Sequence, residues 1–359
     1  MKFNISTALL QTVSNKLVKA VSMKDTVPSL RCFFIVANKD LRMVRITAGD
    51  GAVYLEKDME GIEIEEAGEV LVDGRDFTKL IGKITVENII LSFKDNKVEV
   101  RAGKSKFVLK TQDPKNYVFP EDVRFDIEGV SLVLPEFKNA LKLAAITTSK
   151  NATEIYYTGF MVGPEIMSTN RNNTTIYDMP LVGDHLLFNP DFVKIIWDLD
   201  GDTAKMSYTE DFVEITTPGT RVLGNLLAGQ EHFLPAEEYD EAFNHENSAT
   251  VSKKDLLPIL DRAMVFMEKT GAINMKFRED GVVECVLVGV LETDTYEEMR
   301  YVGSLTMSVN ASLGMLFEIC SAIENEDDTI QIKLTADEGA PMLIVSDKYR
   351  AYLAMMNVN

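Results

Sequence analysis

Three segments of this chain place lysines at helical spacing with few acids beside them. Such lysines are either ordinary solvated faces or, taken together, a surface that holds a phosphate backbone. Residues 5–24 carry Lys16, Lys19 and Lys24 and no acid. Residues 135–150 carry Lys138, Lys142 and Lys150 against Glu136 alone. Residues 251–269 carry Lys253, Lys254, Arg262 and Lys269 against Asp255, Asp261 and Glu268. The whole chain has a net charge of −19 and would repel nucleic acid if that charge were evenly spread. A basic surface inside an acidic shell instead draws a polyanion to one place and away from the rest. Lysines without base-reading side chains among them give contact that ignores nucleotide sequence.

Residues suited to bond-making chemistry do not assemble into a motif. His185, His232 and His245 have no cysteine, histidine or carboxylate at metal-ligand spacing. The Gly-Lys-Ser at Gly103 ends like a phosphate loop, but the earlier glycine would fall on Val98 and a strand follows where a helix is needed. No Gly-x-Ser-x-Gly or paired-glycine dinucleotide motif occurs. With 56 carboxylates present, no acidic pair stands out as catalytic. Cys32, Cys285 and Cys320 are scattered, which suits a reducing compartment and argues against a disulfide framework. No run of about 18 apolar residues suggests a membrane span, and the opening residues do not read as a secretion signal. The expectation is a cytoplasmic protein that is not an enzyme, with no metal and no cofactor.

The elements that would position the lysines recur. "RDFTKLIGKI" from Arg75 and "PDFVKIIWDL" from Pro190 share the pattern Asp-Phe-x-Lys-(Leu/Ile)-Ile. Each is followed by short alternating runs broken at turns, which read as three strands. A fainter third copy spans residues 308–323, with Leu313, Leu316, Phe317 and Ile323 on one side. Asp73 and Asn189 suit helix N-caps, and Pro190 suits a first helical position. The three lysine-bearing segments form the front halves of the same units, with apolar rows Leu9–Val13–Leu17, Phe137–Leu141–Ala145 and Leu256–Leu260–Met264. Pro258 falls near the start of the third front helix and predicts a shortened or bent start. The reading is α+β, three tandem copies of one compact domain of helix, strands, helix and strands. The boundaries fall at 1–121, 122–246 and 247–359, with linkers near Pro120 and across residues 238–250.

In this frame the chain resembles the bacterial DNA polymerase III beta subunit, the sliding-clamp family. The likeness rests on the three-copy order, the opening "MKF", and "TVPSL" at Thr26. It is carried further by "GKSKFVLKT" leading to "DPKNYVFPED", by "IYYTGFMV", "DMPLVG" and the terminal "YRAYLAMM". The resemblance implies a DNA-clamp fold that closes, as a head-to-tail homodimer, into a ring of six domains around duplex DNA. Twelve helices would line the hole. It implies a processivity factor that tethers a replicative polymerase and is opened by a separate loader, both engaged through short linear peptides, in a bacterial cytoplasm beside the nucleoid. Under the resemblance Lys24, Lys150 and Tyr156 lie on loops facing DNA. Lys16, Lys19, Lys138, Lys142, Lys253, Lys254 and Arg262 are candidates for the inner wall. For ring closure, a basic edge with Lys104 and Lys106 is expected to meet an acidic region with Glu318 and Glu324.

The chain departs from the family where partners are captured. The family's pocket has a Thr-Asp-Gly-His-Arg-Leu-like wall and a Met-Pro-Met-Arg-Leu-like tail. Here the wall aligns to Thr169, Asn170, Arg171, Asn172, Asn173 and Thr174, and the tail reads Met355-Met356-Asn357-Val358-Asn359. Tyr157 stands near a usual leucine. Tyr157, Leu353, Met355 and Met356 keep some apolar lining, and methionine suits adaptable binding surfaces. The expectation is a retained pocket with an altered motif preference. The alternative is a clamp-fold scaffold that binds proteins only and does not encircle DNA.

Overall fold

The structure is a computed structural model that describes residues 1–22, 27–120, 123, 125, 129–150, 153–242, 246–267, 271–288, 295–324, 327–335 and 340–356. Among these are seven α-helices: α1 (Thr7–Leu17), α2 (Gly74–Ile81), α3 (Leu134–Ala144), α4 (Pro190–Trp197), α5 (Ala236–Ala242), α6 (Lys253–Met264) and α7 (Leu313–Ala322). Among the described residues no helix is long and apolar enough to cross a membrane.

The order of elements recurs three times. A short strand (Lys2–Ser6, Val130–Val133 or Asn247–Ser252) leads directly into α1, α3 or α6. A group of strands follows, then α2, α4 or α7, then three more strands. Sequence patterning alone begins each copy at the helix. The leading strands escape it because four to six residues are too few for period-two alternation to show. The second linker also needs correction. Residues 238–242 belong to α5 and 247–250 to the first strand of copy 3, so these parts of the polar run are regular structure, while 243–245 lie outside the described residues.

Contacts group the chain into two compact units, one of Met1–Pro135 with Phe188–Leu226, the other of Glu136–Leu187 with Leu227–Asn359. The grouping cuts through the middle copy, and the strand pairing explains why. In unit 1 the last strand of copy 2, Thr220–Asn225, pairs antiparallel with Val53–Glu60 of copy 1, from Thr220 opposite Lys57 to Gly224 opposite Val53. In unit 2 the last strand of copy 3, Tyr349–Leu353, pairs with Asn173–Tyr177 of copy 2. Each unit is therefore built on one joint at which the sheet of one copy continues into the next.

The helices sit where their apolar faces require. Asp73 caps α2, accepting from the backbone N–H of Arg75 at 3.1 Å and of Asp76 at 3.0 Å. Asn189 caps α4 by accepting from Asp191 N–H at 2.9 Å, with Pro190 at the first position. Phe77 and Ile81, and Phe192 and Ile196, are buried beneath these helices. In α1 the buried row is Leu10, Val13 and Leu17, while Leu9 is exposed, so the expected row was one residue out of phase at its start. α6 runs unbroken through Pro258. Its ring lies within the first two turns, where few intrahelical N–H bonds are lost.

Candidate nucleic-acid and peptide interfaces

The lysine-bearing helices form as expected, but most of their cations are already engaged. At the end of α1, Lys16 Nζ donates to Asp200 and Lys19 Nζ donates to Asp198 at 2.6 Å, both aspartates following α4. Lys57 lies in the same corner, its ammonium pKa lowered by burial and then by Lys16. On α6, Lys253 Nζ donates to the Ile323 carbonyl and Lys254 stands 3.5 Å from Asp328. Arg262 grips Glu297 through Nε at 2.9 Å and through a second nitrogen, which holds the Glu297 carboxyl below its usual range. Lys142 and Lys150 are exposed and Lys138 is half-buried on α3. Tyr156 does not stand free on its loop, because its ring stacks on His232 at 4.0 Å. Lys24 lies outside the described residues.

The pocket residues divide between two clusters of unit 2. Tyr157 packs with Met161, Met167, Phe233, Tyr239 and Tyr352. The Arg171 guanidinium lies 5.3 Å from the Tyr157 ring centroid and is bound to Glu154. Thr174 Oγ1 donates to Thr169 Oγ1 at 2.9 Å and lies 3.3 Å from the Tyr239 hydroxyl, which can donate to it. Both threonines are buried, and Asn172 is exposed at the turn. Leu353 belongs instead to the core around α6 and α7, where Met355 packs against it. Met356 N–H donates to the Asn310 carbonyl at 2.8 Å. The tail thus closes the core of copy 3 with Leu353 and leaves Met355 and Met356 half-buried.

Sequence reasoning missed α5, which carries the other side of this site. Tyr239 lies against Tyr352 with ring centroids 5.4 Å apart. The Tyr352 hydroxyl donates to Asp240 at 2.5 Å, and Arg350 binds Asp240 and, at 2.8 Å, Asp178. Burial and then the Asp240 bond push the Tyr352 phenol up. The signal was present as Ala236 and Tyr239, three apart in a run otherwise acidic. The acids disguised it as linker.

Besides the strands that end the sheets, two stretches inside the strand order lack a partner on one side among the described residues. Ser105–Gln112 pairs along Lys97–Ala102 on one side, and on the other only Thr111 and Gln112 find a partner. Residues 105–110 therefore present an open edge. In unit 2, residues 296–300 pair with Val282–Val286 on one side only. Each carries exposed apolar side chains: Phe107 (37 %) and Val108 (51 %) on the first edge, Tyr296 (59 %) on the second. Val265 (77 %) and Phe266 (45 %) follow one turn after Arg262, itself bound to Glu297. Lys104 is exposed beside the first edge, and Lys106 is held by Glu99 of the neighbouring strand at 2.5 Å. Glu318 and Glu324 are exposed on and after α7, a helix that packs on α6 and on the 145–147 turn.

Comparison with known proteins follows the same lines. Residues 1–120 match the family described as DNA polymerase III beta subunit, N-terminal domain. The chain is 28 % identical over 358 residues to the beta sliding clamp of Staphylococcus aureus, covering 92 % of each chain. It is 24 % identical over 322 residues to that of Halalkalibacterium halodurans, covering 80 % of this chain and 81 % of the relative. The fold superposes over the full length of both chains on the DNA polymerase III subunit beta of Pseudomonas aeruginosa, with a TM-score of 0.88 at 15 % identity. The sliding clamp of Bacillus subtilis superposes likewise, with a TM-score of 0.87 at 18 % identity.

Proposed function

The chain belongs to the DNA polymerase III beta-subunit family, and on that premise we propose that it is a sliding clamp. Two copies close head to tail around duplex DNA and tether a polymerase and a loader in the cytoplasm. It performs no catalysis. The three domains are taken as 1–121, 122–246 and 247–359.

The observation that carries the ring is the pair of open edges. Both joints inside the chain follow one rule: the last strand of a copy pairs with the strand that follows the second hairpin turn of the copy before it. Applied once more, the rule brings residues 105–110 of one protomer to residues 296–300 of another. The turn positions Thr220 and Tyr349 correspond to Ser105. Lys57 and Tyr177 correspond to Glu297. The register that follows sets Ser105 opposite Glu297 and Lys106 opposite Tyr296. At both internal joints the matching position holds a cation, Arg221 opposite Glu56 and Arg350 opposite Ile176. Lys106 continues the series. Pairing the edges covers Phe107, Val108 and Tyr296 and removes two open strands that otherwise invite aggregation. The acidic partner of this edge is thereby moved from Glu318 and Glu324 to Glu297 and Glu298.

A ring needs little binding free energy to stay on DNA, since it cannot leave sideways. Cations already held by carboxylates suit that task, giving loose, salt-sensitive contact in place of tight grip. The cluster of Tyr157, Thr169, Arg171, Asn172, Thr174, Met355 and Met356 is the partner-peptide site in this reading, with Leu353 in the core beneath it. The test is retention on DNA. Protein closed on a nicked circular duplex should remain through a high-salt column and be lost when one cut linearises the circle. Equal retention on circular and linear DNA would exclude the ring.

A further inference from the structure

The repeat makes three sheet faces equivalent, and the molecule finishes each differently. In unit 2 one row across the strands runs Met161, Met167, Ile176 and Arg350. The chain covers this row itself: Phe233, Ala236 and Tyr239 pack on it, and Asp240 binds Arg350. In copy 3 the row begins Asn274, Val286 and Tyr296, and the face is closed by charge, with Arg278 bound to Asp280, Glu284 and Glu298. In copy 1 the row runs Phe34, Thr47, Glu56 and Arg221.

That third face is covered in part among the described residues: Phe119, Val123 and Phe125 pack against Tyr54 and Leu223 at one end. Tyr117 stacks on Phe34 with centroids 5.3 Å apart, and Arg221 lies 5.8 Å from the Phe119 ring. Beside them a cavity of about 550 Å³ stays open, lined by Phe34, Val36, Met43 and the exposed Leu41 and Lys115; its carboxylates are Glu56, bound to Arg221, and the exposed Glu69. The volume falls within the roughly 300–1,000 Å³ of ligand sites. The Tyr117 hydroxyl in the lining is buried without a hydrogen-bond partner among the described residues. Lys115 makes no ion pair among the described residues.

We propose that this cavity is a docking site for a peptide segment of a partner protein in which carboxylates lie close to an aromatic residue. The aromatic side chain lies on Phe34, Val36 and Met43, and a carboxylate reaches Lys115. The chemistry is that of residues 230–242, "QEHFLPAEEYDEA", which cover the equivalent face in unit 2 with Phe233, Tyr239 and Asp240. The site lies within unit 1 and does not depend on ring closure.

A fluorescein-labelled peptide of the sequence of residues 230–242, titrated into the intact protein and followed by anisotropy, tests this. Saturable binding is expected, unchanged by Met355→Ala at the other site. Val36→Asp, which puts a charge on the cavity floor, should weaken it at least about tenfold. Lys115→Glu, on an exposed side chain that leaves folding intact, should weaken it about fivefold. Absence of saturable binding overturns the proposal, as does binding that Lys115→Glu leaves unchanged.

Discussion

Lys16 and Lys19 show how a charge legible in the sequence can be spoken for in the fold. Their positions on and just after α1 were evident from helical spacing, but their partners Asp200 and Asp198 lie 184 and 179 residues further on. No local pattern reveals such a pair. Both bridges are solvent-exposed, so each contributes no more than about 1 kcal/mol to stability. Changing Asp198 and Asp200 together to Asn should therefore lower stability only slightly, read by thermal unfolding. It should also release two lysines and remove two negative charges, so binding of a short duplex at low salt should tighten and its salt dependence steepen. A large loss of stability with unchanged DNA binding would make the bridges structural and remove Lys16 and Lys19 from the DNA surface. The pocket residues carry the same lesson. Thr169 and Thr174 look like pocket lining by alignment, yet their hydroxyls are used up in bonds within the sheet and to Tyr239.

Among the elements, α2 and α4 were the most legible because three signals agree in each. These are a capping side chain, an acid in the first turn, and buried apolar residues on one face. Asp73→Ala removes a cap that serves two backbone N–H groups and should cost about 1 kcal/mol, measured by urea unfolding. A cost near zero would show that the cap is redundant with packing. The leading strand of each copy and α5 were not legible. Phe3 and Ile5 alternate for too few residues to separate a strand from the start of α1. In α5 the burial of Tyr239 depends on Tyr352, more than a hundred positions away in sequence. Where long-range packing decides, local propensity does not.

At the scale of the molecule, the repeat was readable because the Asp-Phe-x-Lys core of α2 and α4 has to be similar to fill similar space. How the copies join was not, since strand pairing between copies leaves no periodic mark. The division into two units follows from those joints, each holding one seam of the sheet. In the proposed ring the remaining seam is made by a second chain. The most direct test is a double variant, Lys106→Cys with Tyr296→Cys, under mild oxidation. The native thiols will not compete: Cys32, Cys285 and Cys320 are buried, and burial raises them to about 11, 12 and 12. The proposed register predicts a covalent dimer closed by two disulfides on non-reducing gels, with each single variant remaining unlinked to wild type. A double variant that stays monomeric after oxidation, with its new thiols still free, would contradict the ring.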